Sequence, residues 1–181
     1  MSAKNIENHL RRKFEFDLKE RVQRTTELKY QKIIGSHYFA AASTQSLELY
    51  RDGYMLGCIM CSQALLEAML KFIAQRNRME YKKDVEDLIA NLEFKNVLNE
   101  KALKAAKTAW HHRNDFHHLN PGVSTLDLKA KAKECVDAIC ALEENVFSVS
   151  FVNGALSPKN LVYWDVGADN TVPVFLRQLD V

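Results

Sequence analysis

The sequence predicts a mainly α-helical protein, an antiparallel helical bundle with an extra N-terminal helix and a small C-terminal β appendage. Three observations predict it. Apolar residues recur at intervals of three and four over most of residues 5–146. Turn and capping residues divide that stretch into separate helices. After Val146 the spacing changes to two, the period of a strand.

Residues 5–34 are highly charged, and Leu10, Phe14, Leu18 and Val22 recur every four positions, as on an amphipathic helix. Gly35 is suited to end that helix and Ser36 to cap the next, expected over residues 36–50. Asp52-Gly53 marks a tight turn, because glycine accepts positive φ. Residues 54–77 follow, apolar nearly all round, as in a helix enclosed by neighbours. Gly57, Cys61, Ala64 and Ala68 form a stripe of small residues on it where another helix can approach closely. Gln63, Glu67 and Lys71 form its polar stripe, with Glu67 and Lys71 in ion-pair order.

Val85, Leu88, Ile89 and Leu92 predict a short fourth helix, and Asn99 caps a fifth carrying Leu103, Ala106 and Trp110. Asn120-Pro121-Gly122 breaks the chain, and Ser124 and Asp127 have capping-box spacing for a sixth helix with Leu128, Cys135, Val136, Ile139 and Leu142 on its apolar face. Phe147, Val149 and Phe151 then alternate with serines before Asn153-Gly154. Residues 161–166 and 172–176 are further strand candidates, with Pro173 confining the last to an edge.

A chain of 181 residues suits one domain. Residues 1–146 are read as its helical part and residues 147–181 as a β-rich extension of it, with no repeat or linker between them. The net charge of +2 gives no global polycationic field, so any nucleic-acid contact must be local. The N-terminus lacks the apolar run of a signal peptide. The most apolar stretch, residues 54–73, is interrupted by Gln63, Glu67 and Lys71, which are costly in hydrocarbon. A cytoplasmic protein without membrane attachment is expected. Cys58, Cys61, Cys135 and Cys140 lie within helix-periodic apolar segments and read as small buried hydrophobes, with zinc the alternative use.

Four of the six histidines fall within residues 110–118, Trp110-His111-His112-Arg113-Asn114-Asp115-Phe116-His117-His118. Histidine exchanges a proton near neutrality, and a guanidinium beside it can hold a phosphate. Together they suffice in principle for RNA cleavage by the neighbouring 2′-OH. One histidine moves a proton while the arginine stabilises charge on phosphorus, with no metal or other cofactor required.

The run Arg113-Asn114-Asp115-Phe116-His117-His118 resembles the Arg-polar-x-x-x-His signature of HEPN domains, helical domains of prokaryotic toxins, anti-phage systems and RNA-processing proteins. The surrounding order is similar over residues 36–146: a helical hairpin with a turn at Asp52-Gly53, a second helix bearing Glu67, and the signature before the last long helix. The resemblance implies a metal-independent endoribonuclease of the toxin or anti-phage effector class. Arg113 and His118 would be catalytic, Asn114 would orient them, and Glu67 would pair with Arg113. It also implies a homodimer with a composite site, RNA as substrate, and an antitoxin or other partner protein. The alternative is a catalytically silent HEPN module that binds RNA, nucleotide or a partner protein.

Straight-helix geometry complicates the choice of histidine. At about 100° per residue, Arg113 shares a face with His117, whereas His118 diverges by roughly 140°. His117 therefore stands beside His118 as a candidate, with His111 and His112 as substrate-binding or supporting groups. Two other readings stay open. His111, Asp115 and His118 fall at i, i+4 and i+7, the spacing of a possible divalent-metal triad. In the plainer reading, His111 and His112 are partly exposed helix residues and Arg113 is a structural ion-pair partner of Glu67 or Asp115.

Overall fold

The structure, a computed structural model, describes residues 2–80, 84–152 and 154–179. Among these residues it has seven helices and two small two-stranded sheets, so the protein is mainly helical, as expected.

Helix α3 (Met55–Arg76) is the centre of the bundle. Its Cys58, Ile59, Leu65, Leu66, Met69, Leu70 and Ile73 are buried. Helices α2 (Ala40–Arg51) and α7 (Leu128–Val146) pack on it. Helix α5 (Glu100–Trp110) packs mainly on α7, and α4 (Val85–Phe94) joins α3 and α5. Helix α3 is long and apolar enough to cross a membrane, but it is largely enclosed by these neighbours. The small-residue stripe serves partly as anticipated. Gly57 faces Leu49 of α2 and Cys61 lies near the Ala42 carbonyl, whereas Ala64 is exposed.

The caps are local and chemical. Asn99 accepts the Ala102 N–H at 2.8 Å, and Asp84 accepts that of Glu86 at 2.7 Å. Gly53, at φ +84°, makes the turn between α2 and α3. A side chain there would also crowd the Arg24 guanidinium, 3.3 Å from a Cβ position. The cap of α7 is Asp127, which accepts from Ala130; Ser124 instead bonds back to the Pro121 carbonyl in a preceding 3-10 turn.

The first helix is shorter than its pattern suggested. Helix α1 (Ala3–Thr26) ends where the hydroxyls of Thr25 and Thr26 bond back to the Arg21 and Gln23 carbonyls. Beyond it, strand β1 (Ile33–Gly35) pairs antiparallel with the distant β4 (Val174–Leu176), with Ile34 opposite Phe175. Gly35 therefore belongs to a strand. Ser36 does not cap α2, which starts after Phe39 with no side-chain cap; the Ser36 N–H donates to the Pro173 carbonyl.

Strands β2 (Val149–Val152) and β3 (Ala155–Pro158) form a hairpin, with Gly154 at φ +80°; Asn153 lies outside the described residues. The strand expected over residues 161–166 is instead a 3-10 turn, Leu161–Tyr163, capped by Asn160. It delivers Tyr163 and Trp164 into the core beside Phe147.

The C-terminal segment also carries a buried charge. Arg177 donates to Glu143 at 2.8 and 2.9 Å, to Ser43 at 2.6 Å, to Thr44 at 3.1 Å and to the Gln31 carbonyl at 3.2 Å. Both charged side chains are fully buried. Ser43 in turn donates to Glu143. Every nitrogen of the guanidinium is thus matched by an acceptor, the condition under which a buried ion pair is tolerated. Cys58, Cys135 and Cys140 are buried, and burial pushes each thiol up to about 12, so these cysteines are inert core residues.

Candidate functional site

Helix α5 does not continue into the histidine-rich run. His111 leaves helical geometry at ψ 137°, and His112 takes a left-handed conformation at φ 65°. The chain then restarts as α6 (Arg113–His117), and Leu119, at φ 49°, reverses it again before Asn120. A non-glycine residue at positive φ is uncommon, and for leucine the conformation is strained. Asp115 bridges the break. It meets His112 Nδ1 at 2.9 Å on one side and accepts from Asn120 Nδ2 at 2.9 Å on the other. These hydrogen bonds, that of Asn120 first, hold its carboxyl below the usual aspartate range.

A cleft of about 460 Å³ runs along this segment, lined by Glu67, Asp84, Val85, Glu86, Trp110 and His111 through Asp115. The guanidinium of Arg113 lies over the Trp110 ring, 5.4 Å from its centroid, and donates to Asn114 Oδ1 at 3.2 Å. Its Nε is buried without a partner. Glu67 is ion-paired with Lys71 on its own helix. His111 and His112, their rings 3.9 Å apart, also border a second cleft, with Lys107, Leu126, Asp127 and Lys131.

His117 turns toward the interior and is half-buried, and its Nε2 has no protein partner. Its pKa is lowered, first by burial and then by the charges of Arg113 and His118, while Glu67 opposes the shift. The neutral ring of His117 is therefore favoured. His118 closes α6, exposed, with its backbone N–H on the Asn114 carbonyl at 3.0 Å. Among the described residues, neither His117 nor His118 lines the cleft that holds Arg113.

The break at His111-His112 also removes the straight stripe needed by a His111, Asp115, His118 triad. Among the described residues, no three histidine, cysteine or carboxylate side chains are grouped to hold a metal ion.

Three roles escaped the sequence reading, which placed these residues in other uses. Trp110 supplies the surface beneath Arg113, and Asp115 is the latch between two left-handed residues. Gln63, read only as part of a polar stripe, is fully buried and donates to the Ala109 carbonyl at 3.0 Å, anchoring the end of α5. Its neighbours in sequence are helical throughout, and nothing local distinguishes it. No protein-family model matches this chain, and no curated protein or solved structure matches it either.

Proposed function

We propose that this protein is a HEPN-type, metal-independent endoribonuclease, active as a homodimer in the cytoplasm and belonging to a toxin or anti-phage system with an antitoxin or other protein partner. The observation that carries this reading is the pair of buried nitrogens without protein partners, Arg113 Nε and His117 Nε2, on one short helix bracketed by strained residues. Buried polar groups are normally satisfied, and exceptions concentrate at functional sites. Neutral His117 or the exposed His118 would take the 2′-OH proton as that oxygen attacks phosphorus. The P–O5′ bond breaks, the second histidine protonates the departing 5′-oxygen, and Arg113 stabilises the charge on the phosphoryl oxygens. The products are a 2′,3′-cyclic phosphate and a 5′-hydroxyl end. A partner protomer bringing its own α6 alongside would supply the histidine that the Arg113 cleft lacks.

One observation favours the silent module in its protein-binding form instead. Glu67, Asp84, Glu86 and Asp115 line the same cleft as Arg113, so a single protomer offers phosphate a largely acidic surface. The test is cleavage of single-stranded RNA in excess chelator by wild type and by Arg113→Ala, His117→Ala and His118→Ala variants. The expected result is chelator-resistant cleavage that falls by about 10²–10⁴-fold in Arg113→Ala and in at least one histidine variant. Cleavage abolished by chelator alone would point to a metal, and no cleavage by wild type to the silent module.

A further inference from the structure

Helix α5 ends at Trp110, which leaves carbonyls of its last turn without helical partners. Gln63 takes that of Ala109, and Lys131 of α7 takes that of Thr108 at 2.6 Å. The same ammonium donates to Glu134 Oε2 at 3.2 Å. The Lys131 side chain is only 10% exposed, yet it lines the second cleft beside His111 and His112, a cavity of about 580 Å³. An ammonium has three N–H donors, and two are used. A buried lysine thus brings a spare donor to this cleft, with a carboxylate at its shoulder.

The other two charges on the cleft are committed elsewhere. Lys107 pairs with Glu93 at 2.6 Å, and Asp127 caps α7. Leu126 and Ala130 add apolar lining. A phosphate here would meet Asp127 and Glu134 as well as Lys131, so the charges do not single out an anion. The cleft instead suits a neutral, flat ligand: it sets a donor beside an acceptor and adds apolar surface and imidazoles on which a ring can stack. Those are the terms on which proteins read an unstacked nucleobase. Position supports a base as well. His111 and His112 border both this cleft and the one that holds Arg113, so a base here lies one imidazole wall away from a phosphate there.

The order of groups selects among the bases. Guanine presents on its Watson–Crick edge an acceptor, O6, followed by two adjacent donors, N1–H and N2–H. Lys131 can donate to O6 while Glu134 accepts from N1–H and N2–H through Oε1, which has no partner among the described residues. Adenine and cytosine offer one amino donor beside a ring acceptor, and uracil one N–H between two acceptors. Each makes one bond fewer with the same pair. We infer that this cleft is a guanine-binding pocket, taking a guanine of the single-stranded RNA whose neighbouring phosphate meets Arg113. The inference rests on the RNA reading above but not on cleavage.

The test is fluorescence anisotropy of the full-length protein with short labelled deoxyoligonucleotides, which lack the 2′-OH and so cannot be cleaved by its attack. The strands are all thymine, or thymine with one central guanine, adenine or cytosine. The guanine strand is expected to bind at least about tenfold more tightly than the other three. Glu134→Gln removes the acceptor for two donors, and Ala130→Trp fills the cleft; both positions are exposed, so neither change disturbs the core. Each should bring the guanine strand to the level of the others. Arg113→Ala should weaken all four strands by a similar factor and keep their order. Equal binding of the four strands by wild type, or a guanine preference that survives both cleft variants, overturns the inference. So does free guanosine monophosphate binding as tightly as the guanine strand, which would make a free nucleotide the occupant. A guanine preference without RNA cleavage would sink the ribonuclease reading alone, and RNA cleavage with equal strand binding would sink the pocket alone.

Discussion

Two guanidinium groups, Arg177 and Arg113, divide the protein's chemistry between them. Arg177 is fully buried and its donors meet Glu143, Ser43, Thr44 and a carbonyl of the segment preceding β1. Arg113, half-buried, rests on Trp110, makes its hydrogen bond to the adjacent Asn114, and keeps Nε without a partner. The first arrangement leaves no donor for a ligand and joins three distant parts of the chain. The second joins nothing distant and leaves donor capacity beside a cleft. Full pairing suits a charged side chain to architecture, and the incomplete pairing of Arg113 is what the proposed phosphate-binding role would use.

The largest expected effect tests the architectural side. Arg177→Met strands Glu143 as a buried, uncompensated carboxylate and should lower unfolding free energy by about 3–5 kcal/mol. Arg113→Met should change it by less than about 1 kcal/mol, having no distant partner to abandon. Urea titration of both variants reads the contrast, and equal losses would erase it.

A histidine pair sharpens the same comparison. His37 lies among Phe39, Phe72 and Phe147, 4.9 Å from and nearly parallel to the Phe72 ring, with both ring nitrogens buried and unpartnered. Burial, chiefly, lowers its pKa to about 4, with Asp165 opposing and Arg76 adding to the shift. The depressed value means that the neutral ring is favoured in the folded state. Its contribution is present above the unfolded pKa of about 6.5 and is lost as pH falls toward 4. Thermal melts should show stability declining across that window by about 1–2 kcal/mol, after allowance for solvent screening of an incompletely buried ring. His37→Phe should flatten this part of the profile, and an unchanged slope would assign it elsewhere.

The smallest effect concerns His117. Glu67 is the charge that raises its pKa against burial, Arg113 and His118. Glu67→Gln should therefore move the His117 titration to lower pH in NMR. No movement would show that Lys71 already neutralises Glu67.

Much of the helical order was legible because its signals are local. Asp52-Gly53, Asn99 and the four apolar positions of α4 each act within one or two turns, and the structure uses them as their chemistry dictates. Strand β4 falls within the strand expected over residues 172–176, whereas β1 was not legible, because three residues hold too little pattern to announce a pairing across most of the chain. The first helix had already ended at Thr25 and Thr26, and the β1 pairing then takes up residues expected to join the first two helices. Histidine clustering singled out the candidate segment but not its shape, because the kink at His112 has no glycine or proline to mark it and is held by Asp115 and Asn120.

The joining of Arg177 to Glu143 and Ser43 also sets an order in time. Synthesis proceeds from the N-terminus, so Ser43 and the Glu143 carboxylate exist before the cation that neutralises them, and β1 exists before β4. Until residue 177 has emerged, the helical core contains a charge it cannot bury. Completion of the fold is thereby coupled to emergence of the segment around Arg177, and a chain terminated before it carries its own mark of incompleteness at the centre of the bundle.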